Sequence, residues 1–191
     1  MANEPDDDIA ETLVEGNSYE QAALSVNRMV PLSLDTKIRI AVGSLALSVV
    51  VAPAVMLRRD LVRSLEGTGS LSLTLGLLVL NGILTTALGG FLLVRQRYMI
   101  SQGSLSAQQA RKQVRIEDFF VSFVLLGALF IIVPAAMLLV GLLSPSVVET
   151  LYDNGINIYV PEDAIDIDVR LVSATGGTLA AALFGLWRAV R

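Results

Sequence analysis

Residues 119–143 read FFVSFVLLGALFIIVPAAMLLVGLL, 25 residues without a charge. As a helix rising about 1.5 Å per residue the stretch reaches roughly 37 Å, and the hydrocarbon core of a bilayer is about 30 Å thick. It is therefore predicted to cross a membrane with some tilt. Arg111, Lys112 and Arg115 precede it and an acid-rich segment follows it. No side chain within it carries chemistry, so it locates the protein without giving it a task.

Three other stretches share this character. Residues 38–57 are apolar apart from Arg39 near their start, and residues 71–94 contain no charge at all. Residues 171–187 number only 17, near the lower limit for a span, but Trp187 and Arg188 stand at their end where interfacial anchors belong. The chain of 191 residues is 53% hydrophobic and 17% charged, against about 25% charged in a soluble domain. The fold class read from this is an all-α membrane protein, a four-transmembrane-helix bundle. An acidic tail over residues 1–36 precedes a membrane domain over residues 37–191.

The absence of both His and Cys removes the usual zinc sites, His-ligated haem, a Ser-His-Asp triad and a Cys nucleophile. No Asp, Glu, Lys or Arg falls deep in the four stretches, whereas ion and proton pathways usually carry such groups at membrane depth. The loops hold no phosphate-cradling or dinucleotide motif. Neither an enzyme nor a proton-coupled carrier is expected, and no cofactor.

Lys and Arg set the orientation. With the N-terminus inside, Arg28, Lys37, Arg39, Arg95, Arg97, Arg111, Lys112, Arg115, Arg188 and Arg191 are cytoplasmic, and Arg58, Arg59, Arg63 and Arg170 are outside. Ten against four of the 14 basic residues places both termini inside by the positive-inside rule. Arg58 and Arg59 run against the rule and would pair with lipid phosphates at the outer interface. The tail has no basic start or early apolar core, so no cleaved signal is expected. Ser18 to Gln21 reads as a capping box opening a short helix to about Met29, with Ala22, Val26 and Met29 on one face and Pro31 ending it.

The cytoplasmic loop of residues 95–118 offers a second capping box, Ser106 to Gln109, ahead of Arg111, Lys112 and Arg115. These three cations are the expected contacts for anionic lipid head groups, worth about 1 kcal/mol each, though they could serve only to set topology. A net charge of −4 and the lack of interleaved aromatics disfavour nucleic acid as a partner. In the outer loop, residues 144–170, two alternating runs at 156–160 and 165–169 flank a Pro-containing turn. They read as a small extracellular β-hairpin between the third and fourth helices, its Ile side toward the bundle. Glu162, Asp163, Asp166 and Asp168 form an acidic rim without the ligand spacing of a metal loop.

The spans carry small-residue seams at four-residue spacing, the pattern by which helices approach closely in lipid. Ser44, Ser48 and Ala52 form one, Gly82, Thr86 and Gly90 the second, and Gly177, Ala181 and Gly185 the third. Asn81 lies near mid-span, where its amide needs a partner across a helix interface. Pro53 and Pro134 each free a carbonyl four residues earlier and predict kinks. They sit in similar segments, APAVML at 52–57 and VPAAML at 133–138, and residues 87–91 have an echo at 182–186. A tandem duplication of a two-helix unit fits, and so does chance in a narrow alphabet.

In hydropathy and acidity, without a motif behind it, the chain resembles the small multi-spanning envelope proteins of salt-adapted archaeal viruses and their hosts. The bundle and its small-residue faces would bind other copies or partner membrane subunits, so a structural or assembly component of a cell membrane or viral envelope, as a homo-oligomer or with partner subunits, is expected. A small transporter or channel subunit, with an uncharged path lined by Asn81 and Thr residues, is the alternative.

Overall fold

Ser33 starts the first long helix, its hydroxyl accepting the backbone N–H of Thr36 at 3.2 Å. In the computed structural model, which describes residues 18–57, 70–102, 106–155 and 166–191, a short α1 (Ser18–Ser25) comes before it. The first long rod is α2 (Leu34–Leu47), a 3-10 turn (Ser48–Val50) and α3 (Val51–Leu57). Then come β1 (Ser70–Ser72), α4 (Leu73–Ser101), α5 (Ala107–Leu143), α6 (Pro145–Asp153), β2 (Asp166–Asp168) and α7 (Val169–Ala189). Leu34–Leu57, Leu73–Ser101, Ala107–Leu139 and Val169–Ala189 are each long and apolar enough to cross a membrane. They pack around one apolar core that includes Ile38, Leu45, Ile83, Ile131, Val172 and Leu183.

Three of the helices, starting at Leu34, Ala107 and Val169, begin before the apolar run read for them, whereas α4 begins at Leu73, two residues inside its run. The largest extension is α5, which begins at Ala107 because residues 110, 114, 117 and 121 lie on one face and all four are buried. Ser106 caps it reciprocally: its Oγ accepts the N–H of Gln109 at 3.4 Å, and the Gln109 Oε1 accepts the N–H of Ser106 at 3.0 Å. This is the capping-box geometry expected from the sequence. In contrast, α1 ends at Ser25 rather than near Met29. It packs Ala22 on Ala110 and Val114, while Met29 is 69% exposed.

The two segments around proline differ. Pro134 lies buried inside a continuous α5, whereas Pro53 is exposed and follows the 3-10 turn that separates α2 from α3. The cause is visible on α7. Ser173 Oγ donates to the Ser48 carbonyl at 2.9 Å and accepts the Ala52 N–H at 3.1 Å. One hydroxyl thus replaces the α-helical bond between residues 48 and 52, and Pro53 has no N–H to give to Val49. A side chain inserted into the ladder is a recognised cause of a helix break.

At the far end of the bundle β1 and β2 pair antiparallel, Leu71 opposite Ile167. Leu71 is fully buried and Ile167 lies so close to Gly76 that an added Cβ would be 2.6 Å from its Cδ1. The partner anticipated for this strand was the run at 156–160, which lies outside the described residues, as do the turn at 161–164, Arg58, Arg59 and Arg63. The partner found is the segment that leads into α4. Helix α6 was not anticipated. Pro145 suits its first position and Gly155 follows it with φ 77°, the left-handed conformation that ends helices.

Candidate functional site

The densest polar chemistry lies at the end of the bundle that carries α1 and Arg191, where the apolar stretches give way to charge. Glu117, two residues ahead of the charge-free run, is fully buried on α5. Lys37, one residue ahead of the first apolar run, is 1% exposed, and its Nζ donates to Glu117 Oε1 at 2.6 Å. Arg28 Nη2 donates to both Glu117 oxygens, at 3.0 and 3.2 Å. Tyr19 donates its hydroxyl to Glu117 Oε2 and accepts from Arg28 Nη2 at 3.3 Å.

The next residue extends the cluster. Asp118 Oδ1 stands 3.7 Å from Lys37 Nζ and its Oδ2 accepts the Met29 N–H at 3.0 Å. Two cations and two carboxylates are gathered, so the cluster is neutral in sum. Such a group tolerates burial because each charge is met by an opposite one and by hydrogen bonds. The Tyr19 hydroxyl is pushed far above its ordinary range, first by burial and then by the Glu117 charge and hydrogen bond, with Arg28 acting in the opposite sense. It therefore stays a proton donor at any physiological pH.

A second group ties the remaining helices at the same end. Trp187 Nε1 on α7 donates to Asp35 Oδ1 on α2 at 3.0 Å, and Arg97 on α4 lies 3.6 Å from Asp35 Oδ2. The guanidinium groups of Arg39 and Arg191 stand 5.4 and 5.5 Å from the Trp187 ring centre, within cation–π range. Trp187 is only 6% exposed, so it packs inside the protein instead of projecting as an interfacial anchor. Sequence reasoning missed both groups because it placed Glu117, Lys37 and Asp35 outside the spans as solvated charges. The available signal was the spacing of 110, 114, 117 and 121, which sets Glu117 on the buried face of α5.

The small residues are divided among neighbours. Ser44, Ser48 and Ala52 are buried, and Ser48 and Ala52 meet α7 through Ser173, as described. Gly176, one turn further along α7, lies against Ser48, whose Oγ would collide with any added Cβ. Gly82 and Thr86 face α5, where a Cβ on Gly82 would be 2.8 Å from the Gly127 carbonyl oxygen. Gly90 turns instead to Leu183 and Ala41. The α4–α5 contact repeats at heptad spacing: Gly82 meets Gly127, Gly89 meets Phe120, and Gln96 Nε2 donates to the Gln113 carbonyl at 2.8 Å.

On α7 the inward face is Ser173, Gly176, Ala180 and Leu183, one step out of phase with the anticipated seam. Gly177 is half-buried, Ala181 and Gly185 are exposed, and nothing lies within 4 Å of a Cβ built on Gly185. Asn81 is likewise on the outside of the bundle; its Oδ1 accepts from Thr85 Oγ1 on the same helix at 3.1 Å. Thr175 is half-buried and Thr178 exposed.

The three head-group candidates stay together: Arg111, Lys112 and Arg115 line one cleft of about 410 Å³ with Gln108 and Gln109. Arg111 and Arg115 also border a cleft of about 420 Å³ beside Ser25 and Asn27, and Lys112 borders another cleft toward α4. Of the acidic rim, Glu162 and Asp163 lie outside the described residues, and Asp168 caps α7, its Oδ1 accepting the Arg170 N–H at 2.8 Å. Among the described residues no three acidic side chains converge as a metal site would require. No protein-family model, curated protein or solved structure matches the chain.

Proposed function

We propose that this is a non-enzymatic integral membrane protein that acts by assembly, as a structural component of a membrane complex or envelope. The observation that carries the reading is Asn81. Eight residues into α4, on its outer face, this amide has both Nδ2 hydrogens free of any partner among the described residues. In hydrocarbon an unpaired amide is costly, and a second amide or hydroxyl on another subunit would satisfy it. The exposed Ala181 and Gly185 on α7 add a surface on which another helix could pack closely.

A transport path lined by Asn81 would need that side chain inside the bundle, so its outward position favours assembly. In this reading both termini face the cytoplasm, and Arg111, Lys112 and Arg115 meet anionic head groups of the inner leaflet. Mass measurement in a mild detergent tests the proposal. The wild-type chain should run as a dimer or larger species, and Asn81→Leu should shift it toward monomer. A wild-type monomer without a partner subunit would sink the idea. Protease added to intact cells should cut within residues 144–170 and spare the N-terminal tail.

A further inference from the structure

A cleft of about 390 Å³ opens between α4 and α5, and its described lining includes none of the Glu117 cluster. Its walls are chemically divided. Leu92, Ile116 and Phe120 line it toward the apolar spans, and Arg95 from α4 and Lys112 from α5 line it toward the loop end. Among the described residues no carboxylate borders it. Arg28, Lys37 and Arg97 are all committed to carboxylates, whereas Arg95 and Lys112 form no ion pair among the described residues. Gln96 also lines the cleft. It is 3% exposed, its Nε2 is held by the Gln113 carbonyl, and its Oε1 has no partner among the described residues.

We infer that this cleft binds one anionic phospholipid that carries a hydroxylated head group, of the phosphatidylglycerol type. Arg95 immediately follows the charge-free run of residues 71–94, so it stands at the depth where a phosphate lies. The phosphate sits between the Arg95 guanidinium and the Lys112 ammonium, which meet it from two different helices. The acyl chain runs along Leu92 and Phe120, and a head-group hydroxyl donates to Gln96 Oε1, the acceptor the protein leaves open. Arg111 and Arg115, on another face of α5, border a separate cleft beside Ser25 and Asn27 that lacks the apolar wall of Leu92, Ile116 and Phe120. The inference goes beyond the assembly proposal and stands independently of it.

Native mass spectrometry of the full chain in neutral detergent, with phosphatidylglycerol or phosphatidylcholine added, provides the test. One phosphatidylglycerol per chain should survive activation that strips phosphatidylcholine. Arg95→Ala with Lys112→Ala should lower that retained fraction at least tenfold. Arg111→Ala with Arg115→Ala removes the same charge outside the cleft and should leave it unchanged. Both pairs are solvent-exposed, and an unaltered helical circular dichroism spectrum confirms folding. Gln96→Leu should abolish the preference for phosphatidylglycerol over phosphatidic acid, which lacks the hydroxyl. Equal losses in the two double variants, or displacement of the lipid by millimolar inorganic phosphate, would overturn the assignment.

Discussion

The two depths of this bundle are held together by opposite means. At the end carrying α1, Glu117, Lys37, Arg28 and Tyr19 bury formal charge and join the N-terminal segment to α2 and α5. At mid-bundle no charge is present, and the helices meet through Gly82 and Gly127 and through the hydroxyl that Ser173 places between Ser48 and Ala52. In the proposed reading, which sets the apolar stretches in a bilayer, the difference follows from solvent. Near the edge of the apolar layer, charges can be brought together from water in a neutral set. Deep within the layer an unpaired charge has no such route, and close packing with a single hydroxyl bridge is what remains.

The comparison can be broken first at Glu117. Glu117→Leu leaves the buried Lys37 with only Asp118, 3.7 Å away, to meet its charge and should cost up to about 3–5 kcal/mol, read as a lowered midpoint of thermal unfolding in detergent. Glu117→Gln keeps an acceptor and should lose less. If Glu117→Leu were neutral, the cluster would not be holding the bundle end. At mid-bundle, Gly127→Val forces a side chain against Thr86 and should cost about 1–3 kcal/mol through overpacking, with α4 and α5 separating in a cross-linking measurement.

Two smaller effects sharpen the contrast. Ser173→Ala removes the bridging hydroxyl and should cost about 1–2 kcal/mol. Faster hydrogen exchange at Ala52 would mark the freed N–H, whereas slower exchange would mean that the helix had closed its own bond and that Ser173 only bends it. Tyr19→Phe should cost about 1 kcal/mol and expose residues 18–25 to protease. The Tyr19 pKa is raised in the folded state, so its contribution is complete below the ordinary tyrosine value of about 10. Above that the unfolded chain loses the proton and the folded one keeps it, so stability falls as pH rises. Tyr19→Phe should flatten that alkaline decline.

The four long apolar helices were legible in the sequence because the rule that lipid imposes on a crossing applies to every residue of the run. A run of roughly 20 apolar residues meets that rule and is hard to house in a water-soluble domain. The capping box at Ser106 was legible for a local reason, since both of its hydrogen bonds lie within four residues. The charged cluster was not, because Glu117 lies 80 residues from Lys37 and further still from Arg28 and Tyr19, and each alone reads as a surface residue. Which small residues of α7 face inward was not legible. Gly176 and Gly177 are equally small, and only the position of Ser48 on the neighbouring rod selects between them.

The sequence by itself therefore determined how many times the chain can cross a bilayer, where the polar boundaries fall and which chemistries are missing. Hydropathy and composition are sums over neighbouring residues, and they need no knowledge of packing. The tertiary structure alone decided that one proline is preceded by a broken helix and the other is not, that β2 pairs with the segment before α4, and that Glu117 is buried rather than solvated. Each of these depends on an atom contributed by another helix, such as the Ser173 hydroxyl or the Lys37 ammonium, and separation along the chain conceals such partners.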